Sequence, residues 1–350
     1  MTRLREQLGF VVHAAEMFNH YGPVWKLMPS DSFEIVVAAS GEERVRIHQM
    51  AMMSGYTSVD AVQLIKERER YHHLVSNHSL ASVDGVFVMQ SLGERNIRFM
   101  YALGKARHNF AEWNKLYDMI MCFGPYQVEN LDFCESSIKA QMGYPRYDDY
   151  FNKEENKEEI AARYDCDPNL PTIVWLPTWV DLCSLDLYSK YLAALSSAYN
   201  VIVKPHPLSI HTEQARIERL RGLPFTRVIT EHVDNLELFR IADYVACDYG
   251  GTAFGALYLD KNILLLNVPG AENDVLTGKE SADITLRETL FSIDPSKASG
   301  IPELLADDVM WEQQKQVRRQ LRGRYFAPYQ GFSAIVAANV FKNRRIILAG

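Results

Sequence analysis

Residues 200–207 read NVIVKPHP, an apolar run ending in Lys204, Pro205, His206 and Pro207. The prolines fix the backbone on both sides of one imidazole. A cation and a histidine held at a strand end suit a phosphate or pyrophosphate, which they would meet through charge-assisted hydrogen bonds. A solvated lysine and a turn-capping histidine are the plainer reading of the same residues. In the second candidate, ADYVACDYGGTAFGALYLD, Asp248, Tyr249, Gly250 and Gly251 form a tight loop before a helix that starts at Thr252. The glycines allow close backbone approach, and helix N-terminal amides with the Thr252 hydroxyl would cradle a diphosphate. A glycine turn without ligand is the alternative. A third run, IVWLPTW, ends in Thr178, which could bond a phosphate, and Trp179, which could wall a base or sugar or simply pack.

Further candidates lie in the first half. Gly104, Lys105, Arg107 and His108 put two cations and a candidate general base on one loop. Arg146, in GYPRYDDY, could reach a ligand or pair with Asp148 or Asp149. His13, Glu16 and His20 follow the first strand, where an acceptor could enter. Glu16 and His20 also have metal-like spacing, but no further ligands accompany them and no metal is expected. His72 and His73 are adjacent, so one is expected to pack and the other to be solvated. Lys315, Arg318, Arg319, Arg322 and Arg324 at helical spacing, with Lys342, Arg344 and Arg345, could meet an anionic polymer or a membrane face; a solvated helix face is the plainer reading.

Short apolar runs alternate with helical periodicity, the rhythm of βα units in parallel sheets. First-half strands are expected at 8–13, 33–38, 85–89, 97–101, 119–123 and 138–142, with a helix from Ser58 to Arg70. The Lys/Glu-rich stretch NKEENKEEIAARYDCDPNLP then marks a boundary. Beyond it, strands are expected at 172–176, 200–204, 227–230, 244–247 and 262–268, separated by helices near 185–198, 212–221, 235–242 and 252–259. The expected fold class is α/β, two doubly wound Rossmann-like domains facing across a cleft, with ligands at strand C-termini.

Composition supports this reading. A chain of 350 residues exceeds one ordinary core, and 47% hydrophobic with 23% charged residues is a globular balance. The net charge of −7 argues against sequence-independent nucleic-acid binding, so a phosphate ligand must be held by local groups. The five cysteines lack metal or redox spacing and read as reduced and mostly buried. The stretch 8–12 is broken by His13 and Glu16 and fits no signal peptide, and no run approaches the roughly 18 apolar residues of a membrane span. The expected location is cytoplasmic, with peripheral contact at the inner membrane face left open by the basic stretches.

Taken in order, GYPR, LPTW, VKPHP, ADYVACDYGGTAFGALYLD and APYQGFSA resemble the CDP-glycerol glycerophosphotransferase family of teichoic-acid and capsule polymerases, over most of residues 90–342. The resemblance implies a GT-B fold: an acceptor-side domain over 1–155, a linker over 156–170, a nucleotide-donor domain over 171–328, and a C-terminal helix within 329–350 packing back towards the first domain. It implies a metal-independent transferase that moves glycerol phosphate or another polyol phosphate from a CDP-linked donor, used as substrate with no cofactor, to a polysaccharide or teichoic-acid-like hydroxyl. His206 falls at the family's His-Pro position near the pyrophosphate, and Gly250, Gly251 and Thr252 where a Ser-Ser pair usually follows Asp-Tyr. The family's His-Gly-Thr-Pro-Leu-Lys loop reads Met100, Tyr101, Ala102, Leu103, Gly104, Lys105 here. Lys105 matches, while His108 or His13 would have to replace the base. Val180 stands where the family has an arginine after Pro-Thr-Trp. The alternatives are a UDP-sugar glycosyltransferase or epimerase on the same fold, and a noncatalytic nucleotide- or polymer-binding subunit.

Overall fold

The computed structural model describes residues 3–78, 82–83, 86–231 and 233–349. The strands are β1 Arg3–Val12, β2 Phe33–Val37, β3 Ser58–Asp60, β4 Glu69–Ser76, β5 Ser82–Val83, β6 Val86–Phe87, β7 Gly93–Phe99, β8 Met119–Cys122, β9 Ile138–Gln141, β10 Thr172–Leu176, β11 Asn200–Val203, β12 Arg227–Val228, β13 Tyr244–Cys247, β14 Asn262–Leu266 and β15 Ser292–Ile293. They form a seven-stranded sheet ordered β3-β2-β1-β4-β7-β8-β9, a six-stranded sheet ordered β12-β11-β10-β13-β14-β15, and an antiparallel β5-β6 pair. Both large sheets are parallel throughout.

The chain divides into two compact units. One comprises Met1–Tyr101, Phe110–Asn152 and Arg324–Gly350; the other comprises Ala102–Asn109 and Lys153–Gly323. The segment carrying Lys105 and His108 therefore belongs to the second unit, although its place in the sequence put it in the first domain. Helix Lys157–Arg163, capped by Asn156, lies in the stretch expected as a linker.

In the first unit, Phe10 on β1 anchors an aromatic core, meeting Tyr21, Trp25, Phe33 and Phe341 edge-on at 5.3 to 5.7 Å. Phe341 comes from helix Ser333–Lys342. The buried Asp148 fixes the start of that helix, accepting the Ser333 and Ala334 amides at 3.2 and 2.6 Å. Burial nevertheless pushes the Asp148 carboxyl up to about 6.

Two first-half expectations need correction. The helix expected at Ser58–Arg70 is shorter: β3 occupies its start, the helix runs Ala61–Glu67, and β4 follows at once. β4 is a central strand whose polar text, ERYHHLVS, hid it. Glu69 is buried there because Arg5 reaches it at 2.5 Å while also pairing with Glu34 at 2.6 Å. His73 is buried and His72 half-exposed, as strand alternation demands. Of the strand expected at 85–89, Gly85 lies outside the described residues, Val86 and Phe87 form β6, and Val88–Leu92 is helical. So short an apolar run does not separate strand from helix.

The second unit is built as the alternation predicts. Trp175 on β10 and Val201 and Val203 on β11 are fully buried, in a cluster with Leu185, Tyr188 and Leu264.

Candidate functional site

In the second unit the strand order reverses direction between β10 and β13, the switch point at which doubly wound sheets leave a crevice at their C-terminal edge. β11, β10 and β13 are neighbours: Trp175 pairs with Val203 on one side and Ala246 on the other, and Leu176 with Cys247. Lys204–His206, Pro177–Trp179 and Asp248–Thr252 therefore emerge side by side from one edge.

His206 is half-buried, and its Nδ1 accepts the Leu208 amide at 3.2 Å, which caps helix Pro207–Thr212. In the neutral ring the proton then sits on Nε2, where it can be donated to a phosphate oxygen. The imidazole stacks on the Trp179 indole, with ring centroids 5.8 Å apart and planes 25° apart. The Lys105 ammonium lies 5.7 Å from the centroid of the same indole. Trp179 thus has the loop lysine and the strand-end histidine as neighbours. Lys204 is half-buried and donates to Asn235 Oδ1 at 2.8 Å, so its charge is anchored by an amide rather than neutralised by an acid at that contact. His108 lies on the short helix Ala106–Asn109, three residues beyond Lys105.

Asp248 organises the edge from below. It is fully buried; Oδ1 accepts the Thr178 and Tyr249 amides at 2.8 Å each, and Oδ2 accepts the Ser184 amide at 2.8 Å and its hydroxyl at 2.7 Å. Burial pushes its carboxyl up to about 6 against those bonds. The sequence reading placed Asp248 among the ligand-binding residues; its side chain instead joins the Thr178 loop to the β13 loop. Tyr249 is also buried and packs with Leu182, Val268 and Ala271, while the Arg287 guanidinium lies 3.8 Å from its ring centroid. That cation also donates to the Asp248 carbonyl at 2.6 Å.

Gly250 adopts φ +111, ψ −166, a conformation open essentially to glycine alone, and helix Gly251–Tyr258 starts directly after it. Its amide does not await a ligand: it donates to Asp283 Oδ1 at 2.8 Å. The expected diphosphate cradle is thus reduced to Gly251, which is exposed, and Thr252, whose hydroxyl makes a long 3.5 Å contact with the Leu176 carbonyl. Val180, beside Trp179, is 47% exposed yet sits at φ +56, a strained conformation for a β-branched residue.

The remaining candidates lie in the first unit. His13 follows β1, its ring centroid 4.7 Å from that of His78, and burial pushes its pKa down. Arg146, read as reaching a ligand or pairing with Asp148 or Asp149, meets His20 Nε2 at 3.2 Å and Glu16 at 3.7 Å. The metal-like pair Glu16 and His20 thus converges on a guanidinium. Burial, helped by Arg146, holds His20 well below its ordinary pKa. Sequence reasoning missed Ser184, Asn235, Asp283 and Arg287; the first three lie at helix starts, a signal that says nothing of the partners they meet.

Residues 127–268, which span β10, His206, Asp248 and helix Gly251–Tyr258, match the family model described as CDP-Glycerol:Poly(glycerophosphate) glycerophosphotransferase. Over this segment, less than half of the chain, the sequence is similar to that family. Among solved structures, the wall teichoic acid polymerase TagF is similar with a TM-score of 0.66 and 15% identity, covering 99% of this chain and 90% of the other. Anabaena Alr3699/HepE in complex with UDP and glucose follows at TM-score 0.60 and 9% identity, covering 97% of this chain and 100% of the other. A glycosyltransferase from Rickettsia africae ESF-5 gives TM-score 0.54 and 12% identity, covering 99% of each chain. At such identities these likenesses show the two-sheet GT-B-like fold and not an activity. No curated protein matches. Among the described residues no helix is long and apolar enough to cross a membrane.

Proposed function

We infer that the chain is a glycerophosphotransferase, moving glycerol phosphate or a related polyol phosphate from a CDP-linked donor to a hydroxyl of a teichoic-acid-like or capsular polymer. The observation that carries this reading is the convergence of Lys105, Trp179 and His206 beside the switch point, within a unit that includes most of the segment matching the family. The TagF fold supports it.

In the proposed reaction the acceptor oxygen attacks the β-phosphorus. An O–P bond forms, the bond from that phosphorus to the bridging oxygen breaks, and CMP leaves with the bridging electrons. His206 Nε2–H, the Lys105 ammonium and the Gly251 and Thr252 amides offset charge on the phosphate oxygens as it develops, each well-aimed donor contributing about 3 kcal/mol. Trp179 walls the nucleotide side. His108 takes the acceptor proton. Peripheral attachment at a membrane face belongs to the same proposal.

The test is incubation of the purified chain with labelled CDP-glycerol or CDP-ribitol and a polyol-phosphate acceptor. Transfer of label with equimolar CMP supports the reading. Transfer from UDP-sugars instead would assign a glycosyltransferase, and CDP binding without product a noncatalytic subunit.

A further inference from the structure

Asp283 is 2% exposed and lies in the first turn of helix Ala282–Thr289. Its Oδ1 accepts the Gly250 amide at 2.8 Å; its Oδ2 accepts the Lys105 amide at 2.8 Å and the Ser281 hydroxyl at 3.1 Å. Ser281 Oγ in turn accepts the Ala106 amide at 3.2 Å. One carboxylate thus joins two segments far apart in sequence, the loop bearing Lys105 and the turn preceding helix Gly251–Tyr258. Lys105 itself sits at φ +55, a left-handed conformation that a lysine adopts only where its surroundings hold it. Gly104 is fitted to the same contact, because a methyl group there would overlap both carboxylate oxygens of Asp283.

We propose that Asp283 is a positioning residue for the donor site, fixing the Gly104–Lys105 peptide so that the Lys105 ammonium stands at the Trp179 face where a diphosphate binds. This rests on the proposed function and adds to it the group that presents the lysine. A carboxylate at that place has two opposite effects. As a charge at a helix N-terminus it competes with a phosphate for the same positive field. As an acceptor of two amides it holds Lys105 in place. Positioning outweighs repulsion here, because the charge is already engaged by the amides and by Ser281, whereas a displaced Lys105 removes a full cation from the site.

Calorimetric titration of the full chain with inorganic pyrophosphate, alongside CMP release from CDP-glycerol, tests this. Asp283→Asn keeps the shape but turns one acceptor into a donor facing an amide. It is expected to weaken pyrophosphate binding about tenfold. Lys105→Met should weaken it comparably, and the double variant no further, since both act through one ammonium. Amide hydrogen exchange at residues 104–109 should rise in Asp283→Asn. Should that variant fail to fold, Ser281→Ala is expected to weaken binding about threefold. Unchanged or tighter pyrophosphate binding in the folded variant, or losses that multiply in the double variant, would overturn the proposal; so would a wild type that does not bind pyrophosphate. If the wild type binds pyrophosphate, the variants behave as expected and no CMP is released from CDP-glycerol, the positioning role stands and the proposed reaction falls.

Discussion

The Asp248 carboxylate accepts the Thr178 amide at 2.8 Å from a fully buried position, so the loops after β10 and β13 share one anchor. Its carboxyl is raised to about 6, so over roughly pH 4 to 6 the folded chain keeps a proton that the unfolded chain has lost. This group's contribution to stability is therefore full below about pH 4 and is lost as pH rises through about 6. Urea unfolding of wild type and Asp248→Asn from pH 4 to 7 should show the stability difference between them shrinking with pH; Asp148 titrates in both and cancels.

His206 presents its imidazole to the site from a loop between two prolines, where it caps a short helix and stacks on Trp179. His206→Ala should lower kcat/KM for CDP-glycerol about 100- to 1000-fold. It should cost stability only about 1 kcal/mol. Equal proportional losses in the two measurements would return His206 to a purely structural role.

Gly250→Ala places a side chain at φ +111, and should cost about 1 to 3 kcal/mol while releasing the amide from Asp283. Thermal melting gives the stability change, and titration with CDP gives the accompanying loss of affinity.

Val180 offers the opposite case. Asn tolerates the left-handed region, and with 47% exposure Val180 has little packing to lose, so Val180→Asn should stabilise the chain by about 1 kcal/mol. Val180→Ile keeps the strain and should show no such rise in melting temperature.

Nucleotide preference is read from melting temperatures with CDP, CMP, UDP and GDP. A nucleotide that binds only the folded chain stabilises it by about 2.7 kcal/mol at a hundred times its Kd. The proposed function requires CDP or CMP to produce the larger shift.

The apolar strands β10, β11 and β13 were legible because each is a buried run ending in turn residues, and the site followed from where those runs end. β4 was not, because its burial is carried by the ion pairs of Arg5 with Glu34 and Glu69, which no hydrophobic pattern reveals. Thr178 and Gly250 were found by residue type, but their anchors were not: Asp248 was grouped with the ligand-binding loop, and Asp283 drew no reading at all. A buried carboxylate is recognised only by the amides that converge on it, and those come from segments distant in the chain. Lys105 was found, yet assigned to the wrong unit, since sequence position alone cannot show that a loop has left one sheet for another.

Residues 102–109 interrupt the first unit and belong to the second. Grafting experiments must respect that excursion: a chimera spliced only near residue 152 would give the transplanted half a foreign peptide where Gly104 and Lys105 should be. Exchange of halves between related enzymes would then succeed only when this eight-residue passenger travels with its host.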